Sequence, residues 1–157
     1  MTKMRQFKIA AAVMFLFFLT AMGARGQDRG FGFGIIVGEP TGLSFKNWLT
    51  STTAIDGGIA WSFYKETTFH LHGDYLIHAF DVIHSRDSIP LYYGVGGRFK
   101  AARNGNGRLG LRGVIGLDFF IHRTPLDIFI ELAPIMDLTP ATELTMNGGL
   151  GFRFFVR

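Results

Sequence analysis

The chain has 157 residues, with 16 Lys+Arg against 12 Asp+Glu, no cysteine and a formal charge of +4. Four of the bases (Lys3, Arg5, Lys8 and Arg25) fall in residues 1–26 beside no acid, leaving 12 bases against 12 acids in residues 27–157. The basic balance is therefore no argument for a nucleic-acid partner, and the lack of cysteine excludes disulfides as the means of holding an exported domain together.

The first predicted element is a leader. "MTKMRQFK" is basic, "IAAAVMFLFFLTAM" is apolar, and Ala24-x-Gly26 precedes Gln27. That order reads as a secretory signal peptide over residues 1–26. The apolar run falls short of the roughly 20 residues a membrane helix needs. Residues 27–157 are expected to form one domain.

From residue 30 onward, turn signals recur at regular intervals and no helical period persists. Eight strands are expected, near 29–38, 42–49, 54–63, 67–80, 90–100, 108–120, 125–135 and 144–156. "EPTG", "TSTT", "YKET", "DVIHSRDSI", "AARNGNG", "HRTP" and "MDLTPATE" connect them. Asn104-Gly105-Asn106-Gly107 is the clearest turn, because Asn and Gly accept positive φ at little cost.

Most of these segments alternate. Strand five sets Leu91, Tyr93, Val95 and Phe99 against Tyr92, Gly94, Gly96, Arg98 and Lys100. Strand six sets Leu109, Leu111, Ile115, Leu117 and Phe119 against Arg108, Gly110, Arg112, Val114, Gly116 and Asp118. In strand seven Leu126, Ile128, Ile130 and Leu132 oppose Asp127, Phe129, Glu131 and Ala133. In strand eight Met146, Leu150, Phe152, Phe154 and Val156 oppose Asn147, Gly149, Gly151 and Arg153. Period-two alternation of this kind is a half-apolar sheet.

Alternation permits two barrels. A soluble, lipocalin-like barrel turns the apolar face inward and binds an apolar ligand there. An outer-membrane barrel turns that face to lipid. The polar face favours the second, because Gly34, Gly58, Gly94, Gly110, Gly116 and Gly151 would weaken a strand exposed to water. Inside a narrow eight-stranded barrel, glycine beside arginine makes room. Trp61, Phe63, Tyr75 and Tyr93 are candidates for aromatic girdles at the membrane interfaces. The expected fold is thus an all-β, eight-stranded antiparallel up-and-down transmembrane β-barrel, preceded by the cleaved leader.

The chain after residue 27 resembles the small eight-stranded outer-membrane barrels of diderm bacteria, of the OmpX and OmpA transmembrane-domain type. Asn147-x-Gly149-x-x-Phe152-x-Phe154 is similar to the last-strand signal read by the barrel-assembly machinery, although the chain runs on through Phe155, Val156 and Arg157. "VGEPTGLSFKNW" looks like the first hairpin of uncharacterised members. The resemblance implies location in the bacterial outer membrane, with outer-membrane lipid and the barrel-assembly machinery as partners. It brings no catalytic motif with it.

"FHLHGDYLIH" raises a question of chemistry. His70, His72, Asp74 and His78 share one strand face. Residues two apart on a strand are about 7 Å apart, so His70 and Asp74 lie about 13 Å apart and cannot share one ion. A His-x-His pair with a cross-strand carboxylate could hold zinc, which needs three or four ligands, but sequence does not place the third. The expectation is an interior polar network of Lys46, Asp56, His70, His72, Asp74, His78, Arg98, Arg108, Arg112, Asp118, Glu131 and Arg153, with no metal and no cofactor. Charges removed from bulk water have to be paired.

No enzyme is expected. A lipid-modifying hydrolase needs a serine beside a carboxylate-oriented histidine. Neither Ser44 and Ser62 on the strands nor His84, Ser85 and Ser88 in a loop have such spacing. "GVGGR" lacks the following helix that a phosphate loop requires. The expected protein is a monomeric outer-membrane barrel of structural or unassigned role with no open pore. Its alternatives are the soluble ligand-binding barrel and the lipid-modifying enzyme.

Overall fold

The structure, a computed structural model, describes residues 30–62, 68–83, 88–102 and 107–156. The leader over 1–26, Phe63, His84, Ser85 and the turn residues 103–106 lie outside them.

Eight strands follow in chain order: β1 (Phe31–Glu39), β2 (Gly42–Trp48), β3 (Thr53–Ser62), β4 (Thr68–Ala79), β5 (Leu91–Ala102), β6 (Gly107–Phe120), β7 (Leu126–Thr139) and β8 (Glu143–Val156). Each pairs antiparallel with its neighbour in sequence, and β8 returns to β1, closing the barrel. Closure leaves no free edge, so every strand has two hydrogen-bonded neighbours. Phe31 pairs with both Asn47 and Val156, which places the start of β1 and the end of β8 at one end of the barrel. The C-terminal ends of β2, β4, β6 and β8 lie at that end, and those of β1, β3, β5 and β7 lie opposite.

The register puts alternate residues in and out on each strand. β4 shows it cleanly: Thr68, His70, His72, Asp74, Leu76 and His78 are buried, while Tyr75 and Ile77 are exposed. The outward set on the eight strands is apolar apart from half-buried Asn47 of β2, and includes Phe33, Leu43, Ile55, Tyr75, Val95, Ile115, Leu132 and Phe152. Trp61 stands outward at one end, with Tyr75 and Tyr93 outward toward the other.

The turns obey local chemistry. At the β2–β3 turn, Thr50 Oγ1 accepts from the backbone N–H groups of Thr52 (3.2 Å) and Thr53 (3.0 Å). At the β1–β2 turn only Pro40 and Thr41 separate the strands. Gly38 there has φ +152°, where a Cβ would lie 2.3 Å from Gly148 O, so this position requires glycine.

The strands differ from expectation mainly at β7, which runs four residues beyond 135 to Thr139 and shortens the connection to 140–142. Pro134 is tolerated within it. It faces outward, pairs with Met146 of β8, and sits where the β6–β7 ladder is interrupted between Arg112↔Ile135 and Ile115↔Leu132. A proline has no N–H to give a ladder, and an interruption removes the demand.

Candidate functional site

The inward side chains of the described residues fall into three levels. At the end that holds both termini of the sheet, Trp48, Ala54 and Phe155 pack together, with Phe80 and Phe120 against them. Just above, Lys46 donates to Asp118, and both side chains are fully buried. His78 Nε2 lies 3.1 Å from the same Asp118 carboxylate, and its ring packs 4.3 Å from that of Trp48.

The middle level is a lattice of two arginines and their acids. Arg153 reaches Asp56 at 2.5 Å and Ser44 Oγ at 2.9 Å, and lies 3.8 Å from both Asp118 and Asp127. Its guanidinium stands 3.7 Å over the Phe129 ring. Arg112 spans Asp74 at 2.8 Å and Glu131 at 2.5 Å, and Tyr92 donates its hydroxyl to Glu131 at 3.1 Å. Arginine's planar fork suits such bridging between carboxylates.

Toward the opposite mouth, Arg98 donates to Asp137 at 2.5 Å. Arg108 stands at the rim, 3.5 Å from Asp137 and 2.8 Å from Glu143. Glu39, Pro40, Thr68, His70, Arg98, Lys100 and Asn147 line a cavity of about 30 Å³ here. That is space for one water, far below what a ligand-binding cavity or a channel needs.

Eleven of the twelve residues expected in the polar interior are buried there, and Arg108 is only partly so, being at the rim. The structure adds to this network Asp127, which the alternation of strand seven puts on the polar face, and Asp137; both are fully buried. Both have the parity of Glu131 on β7. The signal was present, but Asp137 lay beyond the expected strand end. Tyr92 and Phe129 also point inward, on the faces that alternation gave them. Trp48 and Phe155 show that one end is closed by aromatic rings rather than by charges.

The interior glycines are seats for large side chains directly across the ladder. Tyr92 lies over Gly116, Phe129 over Gly151, Phe155 over Gly32 and His72 over Gly58. A Cβ at any of the four would come within 2.6 Å of the facing ring. Of the last-strand residues, Phe152 and Phe154 point outward, Asn147 is buried and Gly149 lies beneath Ile36.

Ser44 serves as an acceptor for Arg153, and Ser88 lies in the β4–β5 connection, where its carbonyl accepts from the backbone N–H of Phe120 at 3.2 Å. Among the described residues, neither is hydrogen-bonded to a histidine. Asp56, His72 and Asp74 do converge, one ligand atom of each lying within 4.8 Å of the others. His70 stands apart from them at the mouth cavity.

Fold and interior together define a closed eight-stranded antiparallel β-barrel, apolar outside and packed with polar and aromatic side chains inside. A scan against protein-family models, a search of curated proteins and a search of solved structures each return no match to this chain.

Proposed function

We propose that this chain is a small outer-membrane β-barrel protein of structural role, of the OmpX and OmpA transmembrane-domain type, with a lipid-facing apolar belt and no open pore. One observation carries the reading: large apolar side chains stand exposed around the whole outer wall while the charged side chains of the strands, apart from those at the rim such as Arg108 and Glu143, lie inside. In water, a continuous exposed apolar surface on this scale would drive aggregation. Against hydrocarbon it is the favourable arrangement.

The soluble ligand-binding alternative requires the opposite facing and an internal apolar cavity. The interior described above is charged, and its mouth cavity has room for about one water. A closed barrel with no free sheet edge also supports a monomer. Phe152 and Phe154, both outward on the last strand, are placed where an assembly factor could read them before closure.

The test is fractionation of cells expressing the full chain, with a carbonate wash and detergent extraction of the envelope. Recovery from the outer-membrane fraction only in detergent, with heat-modifiable migration on a gel, is the expected result. Recovery from the soluble periplasmic fraction overturns the proposal.

A further inference from the structure

Across the middle of the barrel, β3 and β4 place two carboxylates face to face. Asp56 pairs directly with Asp74, and His72 stands two residues before Asp74 on the same inward face of β4. Like charges opposite each other in a sheet repel, more so away from bulk water. Each carboxylate gives one oxygen to an arginine: Asp56 Oδ2 accepts from Arg153 at 2.5 Å and Asp74 Oδ2 from Arg112 at 2.8 Å. The other oxygen of each, Oδ1, is buried with no hydrogen-bond partner, as is His72 Nδ1. The residues are only 4% (Asp56), 2% (Asp74) and 7% (His72) exposed. Three buried ligand-type side chains, each with one polar atom lacking a hydrogen-bond partner, therefore lie together in one enclosed place.

Two independent features favour a cation there. The buried charged side chains of the described residues are Lys46, Arg98, Arg112 and Arg153 against Asp56, Asp74, Asp118, Asp127, Glu131 and Asp137. With neutral histidines the acids exceed the bases by two, the charge of one divalent ion. The walls also make room for these ligands in particular. A Cβ at Gly58 would lie 2.4 Å from His72 Cε1, and one at Gly96 would lie 2.2 Å from Asp74 Oδ1.

We propose that Asp56, His72 and Asp74 bind one divalent transition-metal cation of the zinc class at the centre of the barrel. One imidazole nitrogen and two carboxylate oxygens suit zinc, whereas calcium and magnesium prefer all-oxygen sets. Zinc bonds of about 2.0–2.2 Å require the ligand atoms to draw in from their present separation, which rotation of short Asp and His side chains allows. Water takes the remaining position. The arginines on the outer carboxylate oxygens act as the second layer that orients the ligands. The site rests on the register of β3 with β4 and does not depend on what covers the outer wall.

The test refolds the chain in detergent with ZnCl2 present, because the site is enclosed. Excess metal is dialysed away and zinc is counted per folded chain by elemental analysis. One zinc per chain is expected, with at least a tenfold fall in occupancy for Asp56→Asn and for His72→Ala and no change for His122→Ala, an exposed turn residue. Zinc X-ray absorption on the unsubstituted chain reads the ligands even if a variant fails to fold. One imidazole with oxygen ligands supports the site. Two imidazoles would put the ion on His70 and His72 and overturn it, as would folded protein that retains no zinc or binding indifferent to both substitutions.

Discussion

The two ends of the barrel interior are built from the same types of ion pair and yet hold them in different media. At the closed end Lys46 and Asp118 meet with both side chains 0% exposed, just inside the rings of Trp48 and its neighbours. At the rim Arg108 and Glu143 meet at 2.8 Å with side chains 42% and 57% exposed. Both contacts have hydrogen-bonding geometry. Their worth differs because removing one partner strands a charge in the first place and returns it to water in the second. Distance says that a pair exists, and burial says what its loss costs.

The sharpest way to break that comparison is Arg153→Met. The methionine leaves Asp56, Asp118 and Asp127 without their shared cation and removes the guanidinium from the Phe129 face. A loss of about 3–5 kcal/mol is expected, the range for one member of a buried pair. Urea unfolding of the refolded chain in detergent measures it, and a loss under about 1 kcal/mol, the scale of an exposed pair, would sink the argument. Lys46→Met should cost less, roughly 2–3 kcal/mol, because His78 and Arg153 still face Asp118.

How far the sequence foretold these two ends depends on parity and on strand length. His70, His72, Asp74 and His78 were legible as one inward set because β4 alternates without interruption over its length. Arg98, Arg112, Asp118, Glu131 and Arg153 followed in the same way. Asp137 was not, because "MDLTPATE" carries turn residues and Pro134 suggests an end. The strand continues because closure of the barrel pairs β7 with β8 as far as Asp137↔Glu143. That is a tertiary constraint with no local mark. The convergence of Asp56 with His72 and Asp74 was hidden for a similar reason, since it depends on the β3–β4 register. The aromatic closure by Trp48 and Phe155 escaped because, although they share the parity of the inward Lys46 and Arg153, an apolar ring carries no polar mark of an inward face.

Between the two ends, the seating of rings on glycines gives an intermediate effect. Gly116→Ala puts a methyl 2.4 Å from Tyr92 Cζ and 2.5 Å from Ile130 O. The ring can yield, but the backbone carbonyl belongs to the ladder. Overpacking should cost about 1–3 kcal/mol, read by the same unfolding measurement. Tyr92→Phe probes the same seat without crowding it and removes the hydroxyl that donates to Glu131 at 3.1 Å. About 1 kcal/mol is expected, since Arg112 still serves that carboxylate.

The smallest effect belongs to the rim. Arg108→Ala removes contacts to Glu143 and Asp137, but Glu143 is left in water and Asp137 keeps Arg98 at 2.5 Å. The expected loss is about 0.2–1 kcal/mol at low salt, shrinking as sodium chloride is raised, because exposed charges are screened over about 10 Å at 0.1 M. Arg153→Met should show no comparable salt dependence, because its partners are enclosed. Measuring both variants across a salt series therefore separates the two media directly. A rim variant whose cost is large and indifferent to salt would mean that the mouth is as dry as the closed end, and the contrast between them would fail.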